Sequence, residues 1–194
     1  MPRVRLILCS ATSAMFIALT APITLPAATI YMTVLAGGNE VPSSGSPATG
    51  TSIVTLNGNL LSVNETYSGL VGGAAAAAHI HCCSSIGVNA PVAVPFIGFP
   101  ATTSGTYMQT FDSTLASTYT AAFVTASGGT AALAEAALIA GLNNGQTYAN
   151  IHDAVYPGGE IRGQLAAVPE PTTAGLLLLG LAPLLMMARK ARRR

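Results

Sequence analysis

Cationic charge is almost missing from the middle of this 194-residue sequence. Between Tyr31 and Ala167 the sole basic side chain is Arg162, lysine does not occur, and six acidic residues (Glu40, Glu65, Asp112, Glu135, Asp153, Glu160) outnumber it. Affinity for nucleic acid comes largely from cations set against phosphates, so a nucleic-acid partner is excluded for this stretch. Three catalytic signatures are also lacking: the Gly-x-Ser-x-Gly elbow, the Gly-x-x-x-x-Gly-Lys phosphate loop and the His-Glu-x-x-His zinc-protease helix. The hydrolase, phosphate-loop and metalloprotease chemistries that depend on them are excluded with them.

The charge that does exist lies at the ends. Arg3 and Arg5 precede an apolar run over residues 6–19, and Ala21, Ala27 and Ala28 offer small residues beyond it. This is the layout of a secretory signal, assigned to residues 1–28 and read by signal peptidase. Cys9 follows Leu8, which is too large for the small residue a lipoprotein signal needs there, so Cys9 receives no role. At the other end, residues 172–188 are apolar and uncharged, and Arg189, Lys190, Arg192, Arg193 and Arg194 follow at once. Seventeen helical residues at about 1.5 Å each reach roughly 26 Å, enough for a thin bilayer, which predicts a transmembrane helix. Basic residues flanking apolar spans tend to stay cytoplasmic, so both tips are expected inside and the intervening chain outside.

Val168-Pro169-Glu170-Pro171, the apolar span and the basic end, in that order, resemble the PEP-CTERM sorting signal of polysaccharide-producing Gram-negative bacteria. The resemblance implies that residues 168–194 are a sorting and anchor segment with Pro169, Glu170 and Pro171 as its motif. It implies an exosortase as partner, membrane anchoring in transit, and final placement at the cell surface or outside the cell.

Glycine pairs at Gly37-Gly38, Gly72-Gly73, Gly128-Gly129 and Gly158-Gly159 divide the central chain into short runs rich in Val, Ile, Thr and Tyr, the spacing of strands joined by turns. Residues 51–56 and 59–64 flank Asn57-Gly58, which suits a hairpin with a type I′ turn. Tyr156-Pro157-Gly158-Gly159 reads as a second turn. One helix is expected from Ala131 to Gly141, capped by Thr130, with Leu133, Ala137, Leu138 and Leu142 on one face and Gly141 and Gly145 as stops. Everything else reads β, which predicts a mainly β domain: one antiparallel sandwich or barrel of about seven or eight strands with one short helix.

Three ordered segments of residues 31–167 resemble the CHRD domain, known from chordin and from bacterial exported proteins. They are Leu35-Ala36-Gly37-Gly38-Asn39-Glu40-Val41-Pro42 with Ala48-Thr49-Gly50, then Ala78-His79-Ile80-His81, then Tyr148-Ala149-Asn150-Ile151-His152 with Pro157-Gly158-Gly159-Glu160-Ile161-Arg162-Gly163-Gln164-Leu165. The resemblance implies an immunoglobulin-like β fold and no catalytic activity. Cys82-Cys83 depart from the small residues that usually follow the histidines in that family.

All three histidines fall in these segments. In a strand alternate side chains share a face, so His79 and His81 project together while Ile80 faces the core, and Asn150 and His152 do the same around Ile151. If the two strands are neighbours, three imidazoles converge and suit Zn or Cu, with Cys82 or Cys83 able to add sulfur. The competing reading has the histidines hydrogen-bonded to backbone, Asp153 or Glu160 as supports of the sheet. For Cys82 and Cys83 the options are a disulfide between them, free or intermolecular thiols, or metal ligands, in that order. Arg162 is expected to form a structural ion pair with Glu40 or Glu160, with Asp153 as a further carboxylate in reach.

Two functions from different classes follow. The first is a non-catalytic surface or matrix protein that adheres to extracellular polysaccharide or to other surface proteins. The second is a histidine-based copper or zinc domain with superoxide dismutase-like redox activity, on the analogy of another β fold that carries histidines on its strands.

Overall fold

A computed structural model describes residues 27–169. The expected signal helix, the expected membrane helix, and Glu170 and Pro171 of the sorting motif lie outside the described residues. No helix among the described residues is long and apolar enough to cross a membrane.

Alternating exposed and buried positions, clearest over Leu60–Ser68, mark strands that set one face on the core. In chain order they are β1 (Thr29–Ala36), β2 (Thr49–Asn57), β3 (Leu60–Ser68), β4 (Ala77–Cys82), β5 (Val92–Pro95) and β6 (Gly105–Asp112). Two helices follow, α1 (Ala121–Ala126) and α2 (Ala131–Asn143), and then β7 (Thr147–His152), β8 (Ile161–Gln164) and the two-residue β9 (Ala166–Ala167). All nine strands join one antiparallel sheet in the order β5-β4-β7-β8-β1-β2-β3-β6, with β9 also beside β1. The sheet curls into a half-barrel rather than dividing into the two packed layers of a sandwich. The reason lies in β1, which pairs with β2 along its whole length and with β8 and β9 on its other side, so the two halves of the sheet stay continuous.

One apolar core fills the concave side. Tyr31, Leu35, Val54, Leu61, Val63, Ile80, Ile151, Ile161 and Leu165 enter it from strands and the segments beside them, and Phe123, Ala134, Leu138 and Leu142 enter from the helices. The helices thus take the place of a second sheet. Both are capped by threonine hydroxyls: Phe123 N donates to Thr120 Oγ1 at 3.1 Å, and Leu133 N to Thr130 Oγ1 at 3.3 Å.

Several details depart from the expectation. Residues 121–126 form the helix α1 where the sequence pattern predicts β structure. Leu133 is solvent-exposed, because the buried stripe of α2 runs through Ala134, Leu138, Gly141 and Leu142. Gly145, with φ +64°, closes α2 in a Schellman arrangement, Gln146 N donating to Gly141 O and Gly145 N to Leu142 O. Gly141 is no stop: a Cβ there would stand 2.5 Å from Cys82 Sγ and 2.9 Å from Cys83 Sγ. The hairpin forms, but Asn57 pairs with Leu60, so the corners are Gly58 and Asn59. Only Gly58 has positive φ (+56°), which fits a type II′ turn instead of I′. At the second turn Gly159 N donates to Tyr156 O at 3.0 Å, as expected.

Candidate functional site

The convex face of the sheet holds two regions of chemical interest, one at each end. At the β4–β7 end, strand register decides what meets what. β4 and β7 are direct neighbours, pairing His79 with Asn150, His81 with Tyr148 and Ala77 with His152. Because paired residues share a face, His79, His81, Tyr148, Asn150 and His152 all stand on the convex side, while Ile80 and Ile151 point into the core. A bulge between Ile80 and His81, opposite β5, falls at the middle of this group.

The three imidazoles converge: one ligand nitrogen from each of His79, His81 and His152 lies within 4.8 Å of the others. His81 Nδ1 donates to Ala90 O at 2.7 Å, and His152 Nδ1 donates to Pro157 O at 3.0 Å. Each bond fixes the tautomer and leaves Nε2 without a proton. His81 Nε2 is buried with no hydrogen-bond partner. His79 Nδ1 lies 3.2 Å from His152 Nε2. Burial lowers the His79 pKa to about 4, with the neighbouring His152 and His81 adding to the fall. Burial also lowers His81 to about 4, against the opposing effects of its bond to Ala90 and of the neighbouring Asn150 side chain, and lowers His152. All three rings are therefore neutral near pH 7.

Behind His81 a stack forms. Tyr148 lies parallel to the His81 ring at 4.6 Å, and the Arg162 guanidinium sits 3.8 Å from the Tyr148 ring centre. Arg162 Nη1 donates to Asn89 Oδ1 at 2.8 Å and Nη2 to Val88 O at 3.4 Å. The expected hydrogen-bonded ion pair with Glu40 or Glu160 is not among its contacts. Glu40 is buried, which raises its pKa to about 7, and the Arg162 charge acts on it only from a distance, in the opposite direction. Glu160 precedes β8, which begins at Ile161, and turns elsewhere. It accepts from Ser46 Oγ at 2.6 Å, Val71 N at 2.7 Å and Gly72 N at 3.2 Å. Burial and the adjacent Asp153 carboxyl raise its pKa.

Cys82 and Cys83 are joined as a disulfide, on the opposite side of β4 from the histidines and against α2 at Ala137 and Gly141. Their sulfurs therefore stand apart from the imidazole group. Pro169 is the last described residue and is exposed.

Sequence reasoning missed Tyr148, Asn89 and Ala90. Tyr148 has the same strand parity as His152 and was open to discovery on that ground, whereas Asn89 and Ala90 lie in a loop whose path no local pattern reveals.

At the other end of the convex face, β1, β2, β3 and β6 lay out cross-strand rows. One runs Val34, Thr51, Thr66, Thr106 and the next Met32, Ile53, Asn64, Met108, followed by Ile30, Thr55, Ser62, Thr110. None of the twelve is charged. Thr51 and Thr66 hydroxyls meet at 2.8 Å and Ser62 and Thr110 at 2.9 Å, while Val34 and Met108 are 60% and 71% exposed.

A family model described as CHRD domain matches residues 31–165. No curated protein and no solved structure matches the chain.

Proposed function

The chain belongs to the CHRD domain family, and from that premise we propose a non-catalytic binding and structural protein that is exported, sorted by an exosortase through residues 168–194, and works by adhesion within an extracellular polysaccharide layer. The observation that carries the reading is the uncharged three-row patch on the outer face of β1, β2, β3 and β6, bordered by Asp112 in the next row of β6. Hydroxyls paired across strands and apolar side chains alternate there over three rows, much as hydroxyls and C–H edges alternate on a sugar chain. An exposed apolar and hydroxyl face of this kind marks an interaction surface. Because the twelve residues of these rows hold no ion, drying them on contact incurs none of the large cost of stripping water from a charge. Export is supported by the arginines at both tips and by the disulfide, a bond that persists in oxidising compartments.

Fractionation and mass measurement test the export step. The mature protein is expected outside the cytoplasm, lacking the N-terminal signal and the segment after the Pro169-Glu170-Pro171 motif, and an exosortase-deficient strain is expected to retain the tail. A full-length chain dissolved in the cytosol defeats the reading. Co-sedimentation with extracellular polysaccharide tests the face: the double variant Val34→Glu, Met108→Glu is expected to lose binding while melting like the parent.

A further inference from the structure

We infer that His79, His81 and His152 form a binding site for one divalent transition ion of the copper and zinc class, separate from the adhesive face. Three observations carry it. Two of the imidazoles are held by Nδ1–H bonds to backbone carbonyls, Ala90 O for His81 and Pro157 O for His152. This is how metal-binding histidines are oriented so that Nε2 points at the ion. His81, only 7% exposed, keeps that Nε2 buried and without a partner, so the fold leaves a basic nitrogen unsatisfied where a ligand would satisfy it. The spacing also fits. With metal–nitrogen bonds of about 2.0–2.1 Å, tetrahedral ligand nitrogens stand about 3.3 Å apart. The His79–His152 pair is already at 3.2 Å, and the full set, within 4.8 Å, needs only side-chain adjustment to close.

The donor set selects the ion. Three neutral nitrogens with no carboxylate in the group suit Cu(II) or Zn(II) and disfavour Mg(II) and Ca(II), which take oxygen ligands. The disulfide on the other side of β4 contributes no thiolate. Three protein ligands leave a fourth position for water or a small exogenous ligand, on the side where His79 and His152 are partly exposed. Tyr148, stacked on His81 and capped by Arg162, is a positioning residue that fixes the plane of the most buried ligand.

The test uses the protein purified from the cells that make it, stripped with a chelator and titrated separately with copper(II) sulfate and zinc chloride. The expected result is one equivalent of copper, zinc or both bound per chain, and its loss in His81→Ala and in the triple variant His79→Ala, His81→Ala, His152→Ala. Electron paramagnetic resonance of the copper-loaded parent gives a readout independent of any variant's folding, with hyperfine splitting from imidazole nitrogens expected. Failure of the parent to bind either ion, uptake that persists in the triple variant, or a copper spectrum without nitrogen splitting overturns the site. None of these outcomes bears on binding by the Val34–Met108 face, so the two proposals fail separately.

Discussion

Arg162 illustrates how a single residue's role changes once its surroundings are known. As the sole cation of residues 27–169, and 2% exposed, it needs compensation. Here that compensation comes from the face of Tyr148, from Asn89 and from the more distant Glu40, in place of a direct carboxylate pair. Arg162→Ala is expected to destabilise the domain by about 2–4 kcal/mol, as the stack and the Asn89 bond are lost together. Arg162→Lys is expected to recover only part of that, since a point ammonium cannot both stack and donate in a fork. Urea titration of the two variants measures both. Gly141 is the second residue whose identity is fixed by a neighbour. Alanine there would ordinarily favour a helix by about 1 kcal/mol. The added Cβ would, however, collide with both sulfurs of the Cys82–Cys83 disulfide. Gly141→Ala is therefore expected to lower stability by about 1–3 kcal/mol, the range for overpacking, and thermal melting gives the sign.

Among the elements, the β2–β3 hairpin allows a sharp comparison. A type I′ turn with Asn57 and Gly58 at its corners would need positive φ at both, whereas here Gly58 alone has it. Gly58→Ala is expected to cost about 1–2 kcal/mol, the penalty of a left-handed backbone, while Asn57→Ala costs under about 0.5 kcal/mol, as at an ordinary surface strand position. Equal losses from the two would restore the I′ assignment. The hairpin's existence was legible because Asn57-Gly58 and the alternation around it are local signals, yet the register hangs on a one-residue choice that such signals leave open. The Thr130 cap was legible for the same local reason. Helix α1 was not, because Val124, Thr125 and Phe123 favour strands in isolation and only the Thr120 cap and packing of Phe123 in the core override them. The facing of His79, His81 and His152 followed from strand parity, but their approach depended on β4 and β7 being neighbours, and 64 residues of intervening chain, from 83 to 146, hide that from any local pattern.

For the whole molecule, buried carboxyls and buried imidazoles set opposite responses to pH. Glu65, on the concave face of β3 opposite Ser52, has its pKa raised by burial to about 8 from an ordinary 4.5, against the smaller opposing effect of the Ser52 hydroxyl. Between those values the native state holds a proton that the unfolded chain has released, so this contribution is whole below about pH 4.5 and is lost as pH rises toward 8. The histidines act in the other direction. His79 and His81, with native pKa values of about 4 against an ordinary 6.5, hold fewer protons than the unfolded chain in that interval, so stability falls as pH drops through it. Above pH 6.5 only the carboxyl effect remains. The parent is expected to lose up to about 2 kcal/mol between pH 6 and 8 relative to Glu65→Gln, which cannot ionise, and calorimetric melts of the pair across that range read the difference.

The pairing of β9 with β1 has a mechanical meaning. Tyr31 sits opposite Ala167, and Val168 N donates to Ile30 O at 2.8 Å, so both ends of the domain emerge together at one corner of the sheet. Tension applied between these ends would load the rungs singly, like a zipper drawn from its open end, and so would peel β9 from β1 at low force. The eight-rung β1–β2 seam lies behind it, so the first give under load would be a short lengthening at that corner that leaves the rest of the sheet paired.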